Sequence, residues 1–131
     1  MFEITIEETF AAGHALRNYR GKCENVHGHN YRVQVIVRGE ELDGAGMLAD
    51  FVELKRLLRA ISEPLDHVFL NDIDPFRELN PSAENIARYI CEKMTEGLQV
   101  ENPVEVAEVK VWETDIQSAT YRPSTSTQSS K

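Results

Sequence analysis

Residues 23–38 read Cys23-Glu24-Asn25-Val26-His27-Gly28-His29-Asn30-Tyr31-Arg32-Val33-Gln34-Val35-Ile36-Val37-Arg38. Tyr31, Val33, Val35 and Val37 alternate with Asn30, Arg32, Gln34 and Ile36, the period of two that sends successive side chains to opposite faces of a sheet. A half-buried strand is therefore predicted over 29–38. His27 and His29 stand two apart at its leading end, so in extended backbone both imidazoles leave one face. An earlier strand is predicted from Phe2, Ile4, Ile6 and Glu8 against Glu3, Thr5 and Glu7, continuing through Phe10 and Ala12 toward His14. Residues 16–28 read as a loop. If the two strands are antiparallel neighbours, His14 meets the other two histidines.

Working outward, Gly39 begins a turn region that reaches Gly44-Ala45-Gly46. Asp50 is a helix N-cap with Glu53 placed to complete a capping box. Phe51, Leu54, Leu57, Leu58 and Ile61 recur at helical spacing, and Pro64 stops the helix near residue 62 or 63. Residues 65–72 read as a loop or a single helical turn. A second helix begins at Pro81-Ser82, with an incomplete box because Asn85 stands where an acid or Gln would close it. Ala83, Ile86, Ala87, Ile90, Met94 and Leu98 supply its stripe, and Gly97 marks its end. Val104, Val106, Val109 and Val111 form a third strand whose alternation slips at Ala107-Glu108, the mark of a bulge. A turn near Asp115 leads to a short last strand at 120–122. Strand, strand, helix, helix, strand, strand predicts an α+β fold: a four-stranded antiparallel sheet with two helices on one face. A single domain is expected over 1–122. Residues 123–131, rich in Ser, Thr and Gln, are expected to be a disordered tail.

With 41% hydrophobic and 27% charged residues in 131, a packed core is expected, small enough to gain from oligomerisation. The net charge of −8 argues against nucleic-acid binding, which needs Lys and Arg against phosphates, and an anionic ligand would need a local positive site. No signal-peptide pattern is visible and no run approaches the roughly 20 apolar residues of a membrane span. A cytoplasmic location follows as the expectation, with Cys23 and Cys91 as free thiols.

His14, His27 and His29 together would offer three neutral imidazoles to one ion, leaving a fourth position open as catalytic zinc sites do. The plain alternative is a His-Gly-His turn unrelated to His14. Beside a zinc ion Cys23 would favour its thiolate and act as base or nucleophile; elsewhere it is a small buried hydrophobe. Asp66-His67 offers a carboxylate beside a proton-shuttling imidazole, or a loop-capping Asp and a surface His. Glu113 could accept two N–H donors from an amidine-like ring edge, or be an exposed strand-end acid. Arg17, Arg20, Lys22 and Lys110 are candidate anion contacts, and ordinary solvated cations otherwise.

Six separated fragments share an order: Phe10-Ala11-Ala12-Gly13-His14, residues 23–31, Asp50-Phe51-Val52-Glu53-Leu54-Lys55, Leu65-Asp66-His67-Val68-Phe69-Leu70-Asn71, Pro81-Ser82-Ala83-Glu84-Asn85 and Trp112-Glu113-Thr114. Together they resemble the 6-pyruvoyltetrahydropterin synthase family, most closely its queuosine-pathway branch, the 6-carboxytetrahydropterin synthases, because Cys23 lies close to His27. The resemblance implies Zn2+ on His14, His27 and His29, and proton transfer by Cys23 with Asp66 and His67. It implies that Glu113 holds the pterin ring, with Thr114 and Glu24 as further substrate contacts. It also implies a tunnelling fold in which subunits complete a barrel as a trimer, two trimers forming a homohexamer with active sites between subunits. The implied reaction converts 7,8-dihydroneopterin triphosphate to 6-carboxy-5,6,7,8-tetrahydropterin, acetaldehyde and triphosphate. Glu24, three residues before His27, fits relatives that release 6-hydroxymethyl-7,8-dihydropterin for folate synthesis. A non-catalytic pterin- or zinc-binding module is the third alternative.

Overall fold

The structure, a computed structural model, describes residues 1–17 and 26–124. The two alternating stretches become strands β1 (Phe2–His14) and β2 (His27–Gly39), antiparallel from Phe2↔Gly39 to His14↔His27. β2 therefore starts two residues before the predicted 29. Gly28, expected in the loop, pairs with Gly13, because β1 runs on to His14 and offers His27 and Gly28 backbone partners.

The sheet has five strands where four were predicted, and it is mixed where an antiparallel one was predicted. The addition is β3 (Val68–Phe69), parallel to β1 through Ala12↔Val68 and Gly13↔Phe69, between short 3-10 turns at Glu63–Leu65 and Leu70–Asp72. Two residues cannot carry an alternation. The residues just before β3 dock it: Ala11 N–H donates to Asp66 Oδ1 at 2.9 Å, and His67 N–H donates to the Ala11 carbonyl at 2.5 Å.

Helix α1 (Phe51–Ser62) starts on Asp50, whose side chain accepts the Val52 N–H at 2.9 Å. The expected capping box does not close: Glu53 is held instead by the Arg56 guanidinium at 2.6 Å, an ionic partner one turn on. Helix α2 (Ala83–Gly97) is capped by Ser82, which accepts the Asn85 N–H at 3.1 Å. Both helices lie on one face of the sheet. Leu54, Leu58, Ile86, Ile90 and Met94 meet Tyr31, Val33, Val35 and Val37 in a buried core. Phe51, at the head of the α1 stripe, stays 51% exposed.

Strands β4 (Val104–Thr114) and β5 (Gln117–Tyr121) complete the order β3-β1-β2-β4-β5. The slip at Ala107 is a bulge: Val37 pairs with Val106 and Ile36 with Glu108. The β4–β5 ladder shifts again at Glu113, between Trp112↔Ser118 and Thr114↔Gln117. The helix-free face is polar, with Arg38–Glu105 at 2.7 Å, Arg122–Glu108 at 2.9 Å and the Arg32 guanidinium 3.6 Å over Trp112. No helix among the described residues is long and apolar enough to cross a membrane.

Candidate metal centre

His14 ends β1, and His27 and His29 begin β2, so the antiparallel register alone brings three imidazoles to one end of the sheet. Their rings lie 5.0–5.8 Å apart between centroids. One nitrogen from each lies within 4.8 Å of the others, a group able to hold a metal ion. Zn–N bonds of about 2.0–2.1 Å call for nitrogens roughly 3.4 Å apart in a tetrahedron, somewhat closer than that limit. The donor set, three imidazoles graded from buried His14 through half-buried His29 to exposed His27, suits zinc with one side open.

The buried ring is the best defined. His14 Nδ1 lies 2.8 Å from the Pro81 carbonyl, which can only accept, so Nδ1 carries a proton and Nε2 is the nitrogen that could ligate. The Tyr31 hydroxyl shares the Nδ1 side at 3.1 Å. Burial, and after it the Glu113 carboxylate, push the Tyr31 phenol well above its ordinary value, so it stays neutral. His29 is lowered by burial first; Glu113 opposes this, while His14 and His27 add to it. The neutral ring is the ligating form.

Glu113 sits at the β4–β5 register shift, two residues after buried Val111. Its Oε2 lies 3.4 Å from His14 Nε2 and 3.8 Å from His29 Nε2, so the carboxylate borders the histidine cluster. Thr114 is occupied locally, its Oγ1 accepting the Ile116 N–H at 3.3 Å across the β4–β5 turn.

Asp66 and His67 do make contact, Nδ1 to Oδ2 at 3.0 Å, with His67 81% exposed and at φ 60°. The Ala11 N–H chiefly holds the Asp66 carboxyl below its usual range; burial opposes this, and the His67 contact adds to the lowering. Asp66 thus caps a loop and supports an imidazole at once. His67 lines an open cleft of about 540 Å³ with Gly13, Gly28, Val26, Phe69 and His29. Among the described residues it bonds Asp66 and Ala11, not His14, His27 or His29.

Cys23, Glu24, Arg20 and Lys22 lie outside the described residues. Of the other anion candidates, Arg17 is engaged elsewhere: it donates to the Phe76 carbonyl at 2.8 Å and to Asn80 at 3.5 Å. Lys110 sits 5.2 Å over Trp112. Cys91 is buried, and burial pushes its thiol up, as suits a structural residue. From sequence, Tyr31 stands only as a strand residue and Pro81 only as a helix start, and Asn80 carries no signal. A backbone acceptor leaves no residue-type signal to find.

The profile of the 6-pyruvoyl tetrahydropterin synthase family matches residues 3–124. A Bacillus subtilis 6-carboxy-5,6,7,8-tetrahydropterin synthase is 34% identical, over 93% of this chain and 86% of its own. The human 6-pyruvoyl tetrahydrobiopterin synthase is 40% identical, over 78% of this chain and 71% of its own. The solved 6-pyruvoyl tetrahydropterin synthase of Caenorhabditis elegans superposes with a TM-score of 0.80 at 31% identity, covering 95% of this chain and 98% of that one.

Proposed function

The chain belongs to the 6-pyruvoyl tetrahydropterin synthase family, and from that premise we propose that it converts 7,8-dihydroneopterin triphosphate and water to 6-carboxy-5,6,7,8-tetrahydropterin, acetaldehyde and triphosphate. The observation that carries the reading is the meeting of His14, His27 and His29 on one open-sided site. Bound there, zinc would polarise substrate hydroxyls, the effect that lowers the pKa of zinc-bound water to about 7.

The chain's own residues supply the rest. Cys23, four residues before His27, takes a proton from the substrate side chain. His67, held by Asp66, relays it, and the depressed Asp66 pKa keeps that support anionic at neutral pH. Glu113 accepts two N–H groups of the pterin ring edge, turning from the histidines to do so. Three subunits complete a barrel and two such trimers stack as a homohexamer. With sites between subunits, the Asp66–His67 pair of one copy can serve the histidines of the next. The reaction is an internal redox change, so no nicotinamide takes part.

Two relatives with different names, one carboxy- and one pyruvoyl-type, make product identity the test. The purified protein, incubated with dihydroneopterin triphosphate, is expected to yield the 6-carboxy product by mass spectrometry. A 6-pyruvoyl product overturns the branch and keeps the family chemistry. Glu24, three residues before His27, favours a second reading, release of 6-hydroxymethyl-7,8-dihydropterin, which the same spectrum registers. Zinc and pterin binding without turnover would leave a binding module.

A further inference from the structure

Where β2 stops covering β1, at His14↔His27, the chain beyond His14 acquires a different partner. Ala15 donates its N–H to Asn71 Oδ1 at 2.9 Å and accepts from Asn71 Nδ2 at 2.8 Å. Two residues on, Arg17 donates its N–H to Asn80 Oδ1 at 2.9 Å and accepts from Asn80 Nδ2 at 3.0 Å. A carboxamide carries the same donor and acceptor pair as a peptide unit. Asn71 and Asn80 therefore act as two rungs of a ladder that extends β1 past the metal ligand.

The second rung reaches the metal ligand through the residue that follows it. Asn80 precedes Pro81, whose carbonyl accepts from His14 Nδ1. The Asn80 carbonyl is itself held by Asn85 Nδ2 at 2.9 Å, from the first turn of α2, and the Arg17 guanidinium ties the Phe76 carbonyl at 2.8 Å. The segment leading to the Pro81 carbonyl is thus fastened at Phe76 and Asn80 to Arg17, three residues beyond His14.

We propose that Asn80 is a positioning residue of the metal centre: its amide pairing with Arg17 holds the Pro81 carbonyl against His14 and thereby sets the tautomer that offers Nε2 to the ion. The proposal rests on reading the three histidines as a metal site. Partners of the second ligand nitrogen typically change metal affinity 10- to 100-fold when lost.

The test uses the full-length chain and two variants. Asn80→Asp keeps the Oδ1 acceptor and removes the donor to Arg17; Asn80→Ala removes both. Zinc affinity is measured by chelator competition, and the His14 tautomer by long-range proton–nitrogen NMR of zinc-free protein. The parent is expected to show His14 protonated at Nδ1. Asn80→Asp is expected to weaken zinc by about tenfold and to mix the tautomers, and Asn80→Ala to do more. Leu57→Ala, in the helix layer away from the site, serves as the control for a general loss of stability. If Leu57→Ala lowers zinc affinity as much as Asn80→Asp at equal loss of melting temperature, the role is structural and the proposal fails. A pure Nδ1 tautomer and parental zinc affinity in Asn80→Asp also overturn it, even if Asn80→Ala does not fold. A parent that binds no zinc would sink the metal reading itself, a separate outcome.

Discussion

Under the proposed function, single side chains at the site divide into those that hold the metal and those that move protons. His27→Ala should remove both zinc and turnover, whereas Cys23→Ala should retain zinc and depress turnover, as metal analysis beside product formation will register. Equal metal loss in the two variants would dissolve that division. Asp66 offers a pH test. Its carboxyl lies below the ordinary value of 3.8, chiefly through the Ala11 N–H. A group whose folded pKa is depressed stabilises the fold above its unfolded pKa, and the contribution is lost as pH falls through the folded value. Asp66→Ala should therefore lower the melting temperature at pH 7, and the gap from the parent should narrow below about pH 3.8. A gap constant down to acid pH would remove the charge from the explanation. The histidines and Glu113 were legible as residue types at chosen spacings. Their mutual distances were not, because a carboxylate on β4 meets rings on β1 and β2 only after the strands have ordered.

Among the elements, the long strands and both helices could be read from period and caps, since β1, β2, α1 and α2 each span enough residues to repeat their pattern. β3 could not, for its two residues are ordered by Asp66 and His67 against Ala11 and not by their own side chains. The capping box at Asp50 failed for a comparable reason: Glu53 had a charged competitor in Arg56. The end of β2 is equally a matter of contact. A Cβ on Gly39 would lie 2.7 Å from the Pro103 carbonyl oxygen and 2.9 Å from Leu48 Cδ1. Leu48 can rotate but a backbone carbonyl entering β4 cannot, so Gly39→Ala should destabilise by about 1–3 kcal/mol in chemical denaturation. An unchanged unfolding midpoint would mean that the β2–β4 junction yields more readily than its packing implies.

For the whole molecule, the helix layer covers one sheet face, while the other carries Arg32, Arg38, Glu105, Glu108 and Trp112 in ion pairs and a cation–π contact. The proposed assembly wraps such sheets into a barrel, and sedimentation should find three or six times the 14.9 kDa chain mass. A stable monomer with full turnover would refute sites shared between subunits. The amino-acid sequence by itself determined the α+β class, the two long strands and two helices, and the histidines to suspect, because periodicity and residue chemistry are local and survive without coordinates. Only the tertiary structure decided the fifth strand, the placing of Glu113 against two histidines, and the Asn71 and Asn80 ladder behind His14. Each of these is a hydrogen bond or approach between residues tens of positions apart, and such distances exist only once the chain has closed on itself.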